Sequence, residues 1–467
     1  MLNMRKFLMA LLAPLLAIPA TRAGAPTHVT HPDWSRNAVI YEVNTRQYTN
    51  DGTFNAFATN LPRLKSLGVD ILWFMPIHPI SQLNRKGTLG SYYAVADYKA
   101  VNPEFGTLDD FKTLVNKAHS LDMKVIIDWV PNHTGCDNVW LKDHADRYAR
   151  NDKGELYGPY DWTDTYKLDY SNPDTRAAMI DAMSFWLREA DIDGFRCDVA
   201  FEVPVSFWNE ARPALQAIKP DLFMLAEAST PALHDYGFDM GYNWPMKDLF
   251  SHIAATHGQY NFIKDGASKP DSLPEAHAKD IPVLLAKQDK EYPRDTYLMN
   301  MVTNHDLNSW EGTEMQRLGN FADAFAVLSY TLPGMPLIYT GQEVGMNRAL
   351  QFFEKDTPPN FASNSVTAFY TALNTLKHSR EELRAGLAGA PVTLFKTDND
   401  DVLVFERRQG DKAVITAVNL SNKPVKLNYT DQAPTTSGTI VDAISGKAMR
   451  SLPKILAPGG FFVVTDN

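Results

Sequence analysis

Eight short apolar runs of strand character, most of them set apart by longer amphipathic stretches, dominate the first three quarters of this chain. The runs lie at 39–43, 71–75, 125–129, 194–198, 223–226, around Phe238, at 298–303 and at 336–340. Helical patterns separate them, for example at 108–121, 175–190, 205–218 and 321–331. Strands buried on both faces read as continuous apolar runs, and strands alternating with helices make βαβ units and a parallel sheet. Eight such units in order predict an α/β fold, a closed (β/α)8 TIM barrel in preference to a doubly wound sheet. The 467 residues and 44% apolar content supply core for that barrel and for a second domain.

Two connections are longer than a barrel needs. Residues 131–172, after the third strand, are rich in Asp, Tyr, Gly and Trp with no clear helix, and read as a loop excursion over one face of the barrel. Residues 258–294 carry Pro270, Pro274, Pro282 and Pro293 and read as a second long connection. Later in the chain the rhythm changes: 392–396, 402–408, 413–419 and 460–465 are short strands with no helix between them. The barrel is therefore expected over 26–385 and a C-terminal antiparallel β-sandwich domain over 386–467. The latter has no aromatic cluster that would mark a sugar-binding surface.

At the N-terminus, Arg5 and Lys6 precede an apolar run at 7–20, and Ala23-Gly24-Ala25 offers a small-residue cleavage site. Residues 1–25 thus read as a signal peptide, and the protein as periplasmic or secreted. Pro14 and Pro19 break a run already shorter than the roughly 20 residues of a membrane span, so no membrane attachment is expected after cleavage. Losing Arg5, Lys6 and Arg22 and no acid takes the formal charge from −10 to −13. Such an acidic chain is a poor partner for nucleic acid. The cysteines, Cys136 and Cys197, are expected to be free: Cys197 sits between Arg196 and Asp198, and alternation along a strand turns it toward the helices if they face inward.

Chemistry concentrates where strands end. Asp128, His133, Arg196, Asp198, Glu227, His305 and Asp306 all follow apolar runs, and in a parallel barrel such ends converge on the face where active sites sit. Cleaving a glycosidic bond requires one carboxylic acid to protonate the leaving oxygen and a second carboxylate at the anomeric carbon. Asp198, Glu227 and Asp306 meet that requirement. Arg196, two residues before Asp198, shares its face of the strand and would keep it ionised. Glu227, between Ala226 and Ala228, has the apolar setting of an acid.

The order and content of these segments resemble the α-amylase family of glycoside hydrolases. Asp128-Trp129-Val130-Pro131-Asn132-His133 looks like its first signature, Gly194-Phe195-Arg196-Cys197-Asp198 its second, Leu225-Ala226-Glu227 its third and Asn304-His305-Asp306 its fourth. The resemblance implies Asp198 as nucleophile, Glu227 as general acid and base, Asp306 as the carboxylate that grips the sugar, and retention of the α configuration. It also implies sugar contacts from His133, Arg196 and His305, with Tyr93 stacked beneath the ring.

Departures from the commonest pattern bear on substrate. Phe201-Glu202 stands where many α-amylases carry Lys-His, and with Lys167-Leu168-Asp169 it is similar to the neopullulanase and cyclomaltodextrinase branch. Phe201, Glu202, Lys167 and Trp310 are accordingly candidates for outer substrate contacts, with plain packing the open alternative for Phe201, Glu202 and Trp310. The first barrel strand begins about 15 residues after the cleavage site, without the N-terminal dimerisation domain of that branch, and the protein is expected to be a monomer. By the same resemblance Asn132 is a calcium candidate, but the usual histidine partner has no counterpart near Glu202, so no cofactor is assigned. No Cys or His spacing points to zinc. The expectation is an enzyme cleaving α-1,4 bonds in starch-type polymers or maltooligosaccharides. Its alternatives are a neopullulanase or cyclomaltodextrinase, a transglycosylase, and last a non-catalytic sugar-binding protein.

Overall fold

The computed structural model describes residues 27–261, 273–436 and 438–466, so the signal-peptide reading lies outside the described residues. Strands β1 (Ile40–Val43), β2 (Ile71–Phe74) and β3 (Lys124–Trp129) open the barrel, and β4 (His133–Gly135) pairs antiparallel with β5 (Thr165–Lys167) inside the excursion. Strands β6 (Gly194–Cys197), β7 (Phe223–Ala226), β8 (Met240–Tyr242), β9 (Tyr297–Asn300) and β10 (Met335–Tyr339) complete it. The barrel closes in the order β1-β2-β3-β6-β7-β8-β9-β10, with every pairing parallel.

Alternation along each strand divides the apolar residues into two layers. Ile40, Ile71, Trp73, Ile126, Phe223, Leu225 and Met299 fill the barrel interior, while Tyr41, Leu72, Phe74, Ile127, Phe195 and Cys197 belong to the layer under the helices. Cys197 points outward as expected, and both cysteines are free and buried. Local signals fix the helices. Thr107 and Asp110 form a reciprocal capping box on the helix Leu108–Ser120, worth about 1 kcal/mol, and Asn172 caps Pro173–Glu189 with proline at its first position. At the start of β6 only glycine fits, because a Cβ on Gly194 would lie 1.8 Å from the Phe223 carbonyl oxygen. That close approach brings Arg196 and Asp198 beside the end of β7.

One expectation is corrected. The sixth barrel strand begins at Met240 and not around Phe238, because Phe238 packs into the outer apolar layer and Asp239 is held by Arg212 and His31, each at 2.8 Å. After β8 comes the helix Trp244–Thr256, and the proline-bearing stretch at 258–294 contains the helix Asp280–Glu291, with Pro282 in its first turn, where proline is tolerated.

The C-terminal strands are β11 (Val392–Phe395), β12 (Val402–Gln409), β13 (Lys412–Asn419), β14 (Val425–Lys426), β15 (Ile440–Asp442), β16 (Ala448–Met449), β17 (Ile455–Leu456) and β18 (Phe461–Asp466). Six form an antiparallel sheet in the order β11-β12-β13-β18-β15-β16, and β14 pairs with β17 in a separate ribbon. Val404, Ile415 and Phe462 meet Leu427 and Leu456 in the apolar layer between sheet and ribbon. Phe405, Val414 and Val463, on the other face, join the core of the barrel helices. Among the described residues no helix is long and apolar enough to cross a membrane.

Candidate active site

Arg196 is the hub of the site. Its side chain is fully buried, rising from β6 among the barrel aromatics Trp73, 5.0 Å away, and Tyr242, 5.4 Å away, and the loop residue Tyr93, 5.8 Å away. Its Nη1 donates to Asp128 Oδ1 at 2.9 Å and to Asp198 Oδ1 at 3.1 Å, and Nε donates to the Tyr242 hydroxyl at 3.2 Å. Nη2 lies 2.9 Å from Glu227 Oε2, an ion pair whose angles fall short of a hydrogen bond. One guanidinium therefore ties together strand ends β3, β6 and β7. A planar fork with several donors suits this task; a lysine ammonium would not span it.

Backbone contacts fix the two nearest carboxylates. Asp198 donates its N–H to the Trp129 carbonyl at 2.8 Å, and Glu227 donates its N–H to the Cys197 carbonyl at 2.9 Å, continuing the parallel ladder past the ends of the strands. The Val199 N–H donates to Glu227 Oε2 at 2.8 Å. Asp306 stands further out, its side chain 35% exposed against 10% for Asp198 and 11% for Glu227.

A second network runs from Asp306 to Asp128. Asp306 Oδ1 is 3.4 Å from His305 Nε2, which also meets the Tyr93 hydroxyl at 2.8 Å, and Tyr93 donates to Asp128 Oδ2 at 3.0 Å. Trp73 Nε1 donates to the same Asp128 oxygen at 3.1 Å. On its far side His305 Nδ1 bonds to Glu42. Burial alone would lower the His305 imidazole, but the Asp306 and Glu42 carboxylates raise it to about 9, so it is a cation at neutral pH. His133 is the opposite case, lowered to about 3 by burial and by the Lys167 ammonium, and stays neutral.

Arg196 does not hold Asp198 in the simple way the sequence implies. Burial first, and then the Glu227 carboxylate, push the Asp198 carboxyl well above its usual range against the pull of Arg196. Asp128 is raised to about 6, again by burial, with Arg196 and His305 opposing. One guanidinium shared among Asp128, Asp198 and Glu227 leaves the group two positive charges short, and a retained proton relieves the repulsion.

The remaining candidates fall into two groups. On the excursion side, Lys167 Nζ donates to Asn132 Oδ1 at 2.9 Å and pairs with Glu202 Oε2 at 2.8 Å; Tyr160 donates to Glu202 Oε1 at 2.5 Å. Trp162 packs 5.1 Å from His133 and 4.9 Å from Tyr160. Phe201, on the same turn as Glu202, is half-exposed. On the Tyr93 side, Tyr93 stacks on His305 at 5.5 Å and on Phe352 at 6.2 Å, and Trp310 leans on Phe352 at 5.2 Å and on Phe353 at 5.9 Å.

Calcium at Asn132 does not fit these residues. The buried Asn132 oxygen already accepts from the Lys167 ammonium, and a divalent ion beside that cation would meet repulsion and the loss of its ligand. Glu42, Trp73, Tyr242, Tyr160, Trp162 and Phe352 are site residues that sequence reading missed. Only Glu42, an acid inside the apolar run Ile40–Val43, left a visible trace.

A (β/α)8 barrel carrying clustered carboxylates at the C-terminal ends of its strands defines an enzyme of the barrel class. The family model for the α-amylase catalytic domain matches residues 41–159 and 148–385, and the chain belongs to the α-amylase family of glycoside hydrolases. It is 28% identical to neopullulanase 2 of Thermoactinomyces vulgaris, covering 90% of this chain and 75% of that enzyme. It is 24% identical to the cyclomaltodextrinase of Thermoanaerobacter pseudethanolicus, over 84% of this chain and 71% of that enzyme. A solved α-amylase from Lactobacillus plantarum superimposes with a TM-score of 0.78 at 29% identity, covering 93% of this chain and all of the other.

Proposed function

We propose that this enzyme hydrolyses α-1,4 bonds in maltooligosaccharides and starch-type polymers, with retention, through a covalent glycosyl-enzyme. The observation that carries the reading is the single buried guanidinium paired with both Asp198 and Glu227, with the more exposed Asp306 joined to the same cluster through His305, Tyr93 and Asp128. With the cluster's proton carried by the acid, the Asp198 carboxylate beside Arg196 attacks the anomeric carbon, and its negative charge is consumed in the new ester bond as the glycosidic C–O bond breaks. Glu227, hydrogen-bonded to the Val199 amide, protonates the departing glycosidic oxygen and afterwards takes a proton from water. Asp306 and cationic His305 bind hydroxyls of the distorted sugar while Tyr93 lies against its ring. Phe201, Glu202, Lys167, His133 and Trp310 line the approaches.

The names of the relatives, neopullulanase and cyclomaltodextrinase, and the Lys167–Glu202 pair favour tolerance of pullulan or cyclodextrin as the second reading. Export, with the mature protein in the periplasm or medium, is part of the proposal. The test is time-resolved product analysis on maltoheptaose, soluble starch, pullulan and cyclodextrin, with Asp198→Asn and Glu227→Gln as controls. Shorter maltooligosaccharides, absent in both variants, support the hydrolase. Products longer than the substrate turn the reading to transglycosylation, and inactivity on all four substrates defeats it.

A further inference from the structure

Outside the acid cluster at the strand ends, two histidines and an aspartate meet where the barrel touches the C-terminal domain. His257 caps the C-terminus of the helix Trp244–Thr256, His277 lies just before the helix Asp280–Glu291, and Asp401 precedes β12. His257 Nε2 is 3.0 Å and His277 Nδ1 2.7 Å from the same oxygen, Asp401 Oδ1, and the three atoms lie within 4.8 Å of one another. Lys279 and Asn422 tie the same segments: Lys279 N–H donates to the Asp400 carbonyl at 2.9 Å and Asn422 Nδ2 to the His257 carbonyl at 2.6 Å. The triad is thus held by backbone on both sides.

We propose that His257, His277 and Asp401 form a binding site for a zinc-like divalent cation that clamps the C-terminal domain to the barrel. Imidazole nitrogen and carboxylate oxygen bind zinc at about 2.0–2.2 Å, and a tetrahedral arrangement at that length spaces ligand atoms by roughly 3.3 Å. The observed N···O separations of 2.7 and 3.0 Å need to open by about 0.3–0.6 Å, while the two imidazole nitrogens, within 4.8 Å of each other, adjust to the same spacing. The outer contact is also in place: His277 Nε2 lies 3.2 Å from Glu275 Oε1, so the nitrogen not facing the ion has a carboxylate that fixes its tautomer, as in carboxylate–histidine–zinc arrays. His257 and Asp401 line an open cleft of about 600 Å³, which gives water access to the remaining coordination position. Two nitrogens and one oxygen favour a late first-row ion over calcium, which prefers six or more oxygens. The ligands are 20 and 124 residues apart, so no sequence spacing discloses them.

The experiment is calorimetric titration of the mature protein with zinc chloride, and separately with calcium chloride, with thermal melting in each salt. The expected result is one zinc per chain at micromolar Kd or tighter, a rise in Tm with zinc alone, and unchanged kcat on maltoheptaose. His257→Ala and His277→Ala each weaken binding at least about 100-fold, and Glu275→Gln weakens it about 10-fold. Visible absorption of the cobalt-substituted wild type, intense for four-coordinate geometry, provides a reading that does not depend on the variants folding. Equal zinc binding by wild type and both histidine variants, absence of binding at 100-fold above micromolar, or a preference for calcium overturns the proposal.

Discussion

The backbone N–H of Val199 donates to Glu227 Oε2 at 2.8 Å, and Val199 reaches that position in a left-handed conformation with φ at 35°. A β-branched residue rarely adopts this backbone, at a cost of order 1–3 kcal/mol. The strain sits between Asp198 and the turn Ala200–Glu202, and it turns an amide toward the carboxylate assigned as the acid. Val199→Gly, which accepts the same φ, should leave the thermal midpoint equal or higher. It should also lower kcat several-fold, because a freer backbone holds the amide less firmly. A large loss of stability with full activity would remove this role from the strained turn.

Arg196 faces three carboxylates through two terminal nitrogens. Arg196→Lys keeps the charge but not the fork, so kcat on maltoheptaose should fall by about 100- to 1000-fold. A partly unpaired buried acid cluster should also cost about 3 kcal/mol in chemical denaturation. Near-normal kcat in the lysine variant would show that charge alone, not the shared fork, is needed.

Much of this arrangement was legible in the chain, for identifiable reasons. The barrel strands are buried on both faces and so announce themselves as unbroken apolar runs; β8 was misplaced because it is three residues long with Gly241 at its centre. The trio proposed as catalytic is read from acids at strand ends, and the structure brings Asp198 and Glu227 to one guanidinium. What the sequence could not show was sharing: that Asp128, Asp198 and Glu227 compete for one guanidinium depends on the register β3-β6-β7, which pairs Asp128 with Arg196 and Cys197 with Ala226. Phe352 reaches Tyr93 from more than 250 positions away, and the Lys167 ammonium meets Asn132 only because β4 and β5 pair His133 with Lys167.

His305 gives the pH dependence of stability a definite sign. Its imidazole titrates near 9 in the fold and near 6.5 when unfolded, so its stabilisation is fully present below pH 6.5 and lost as pH rises through 9. The amount is about 3 kcal/mol. Urea unfolding should therefore show His305→Gln well below wild type at pH 6, with the gap closing by pH 9.5. A gap independent of pH would mean that the contacts of His305 are steric rather than ionic.

The Lys167 bridge makes a prediction about metal. Because the ammonium already satisfies Asn132 and Glu202, dialysis against EDTA should leave kcat on maltoheptaose within about twofold of its starting value, whatever happens to Tm at the interdomain triad. Lys167→Met should raise KM by several-fold through a loosened excursion, and added calcium should not restore it. Loss of kcat on chelation, recovered by calcium, would reinstate an ion at Asn132.

The central claim is that Asp198 forms a covalent glycosyl-enzyme on a site organised by Arg196. It is tested most directly by proton NMR of the anomeric region during the first minutes of maltoheptaose hydrolysis, before mutarotation mixes the products. The new reducing ends should appear first as the α anomer and then relax toward the equilibrium mixture. First appearance of the β anomer would mean single-step inversion by water and would contradict it.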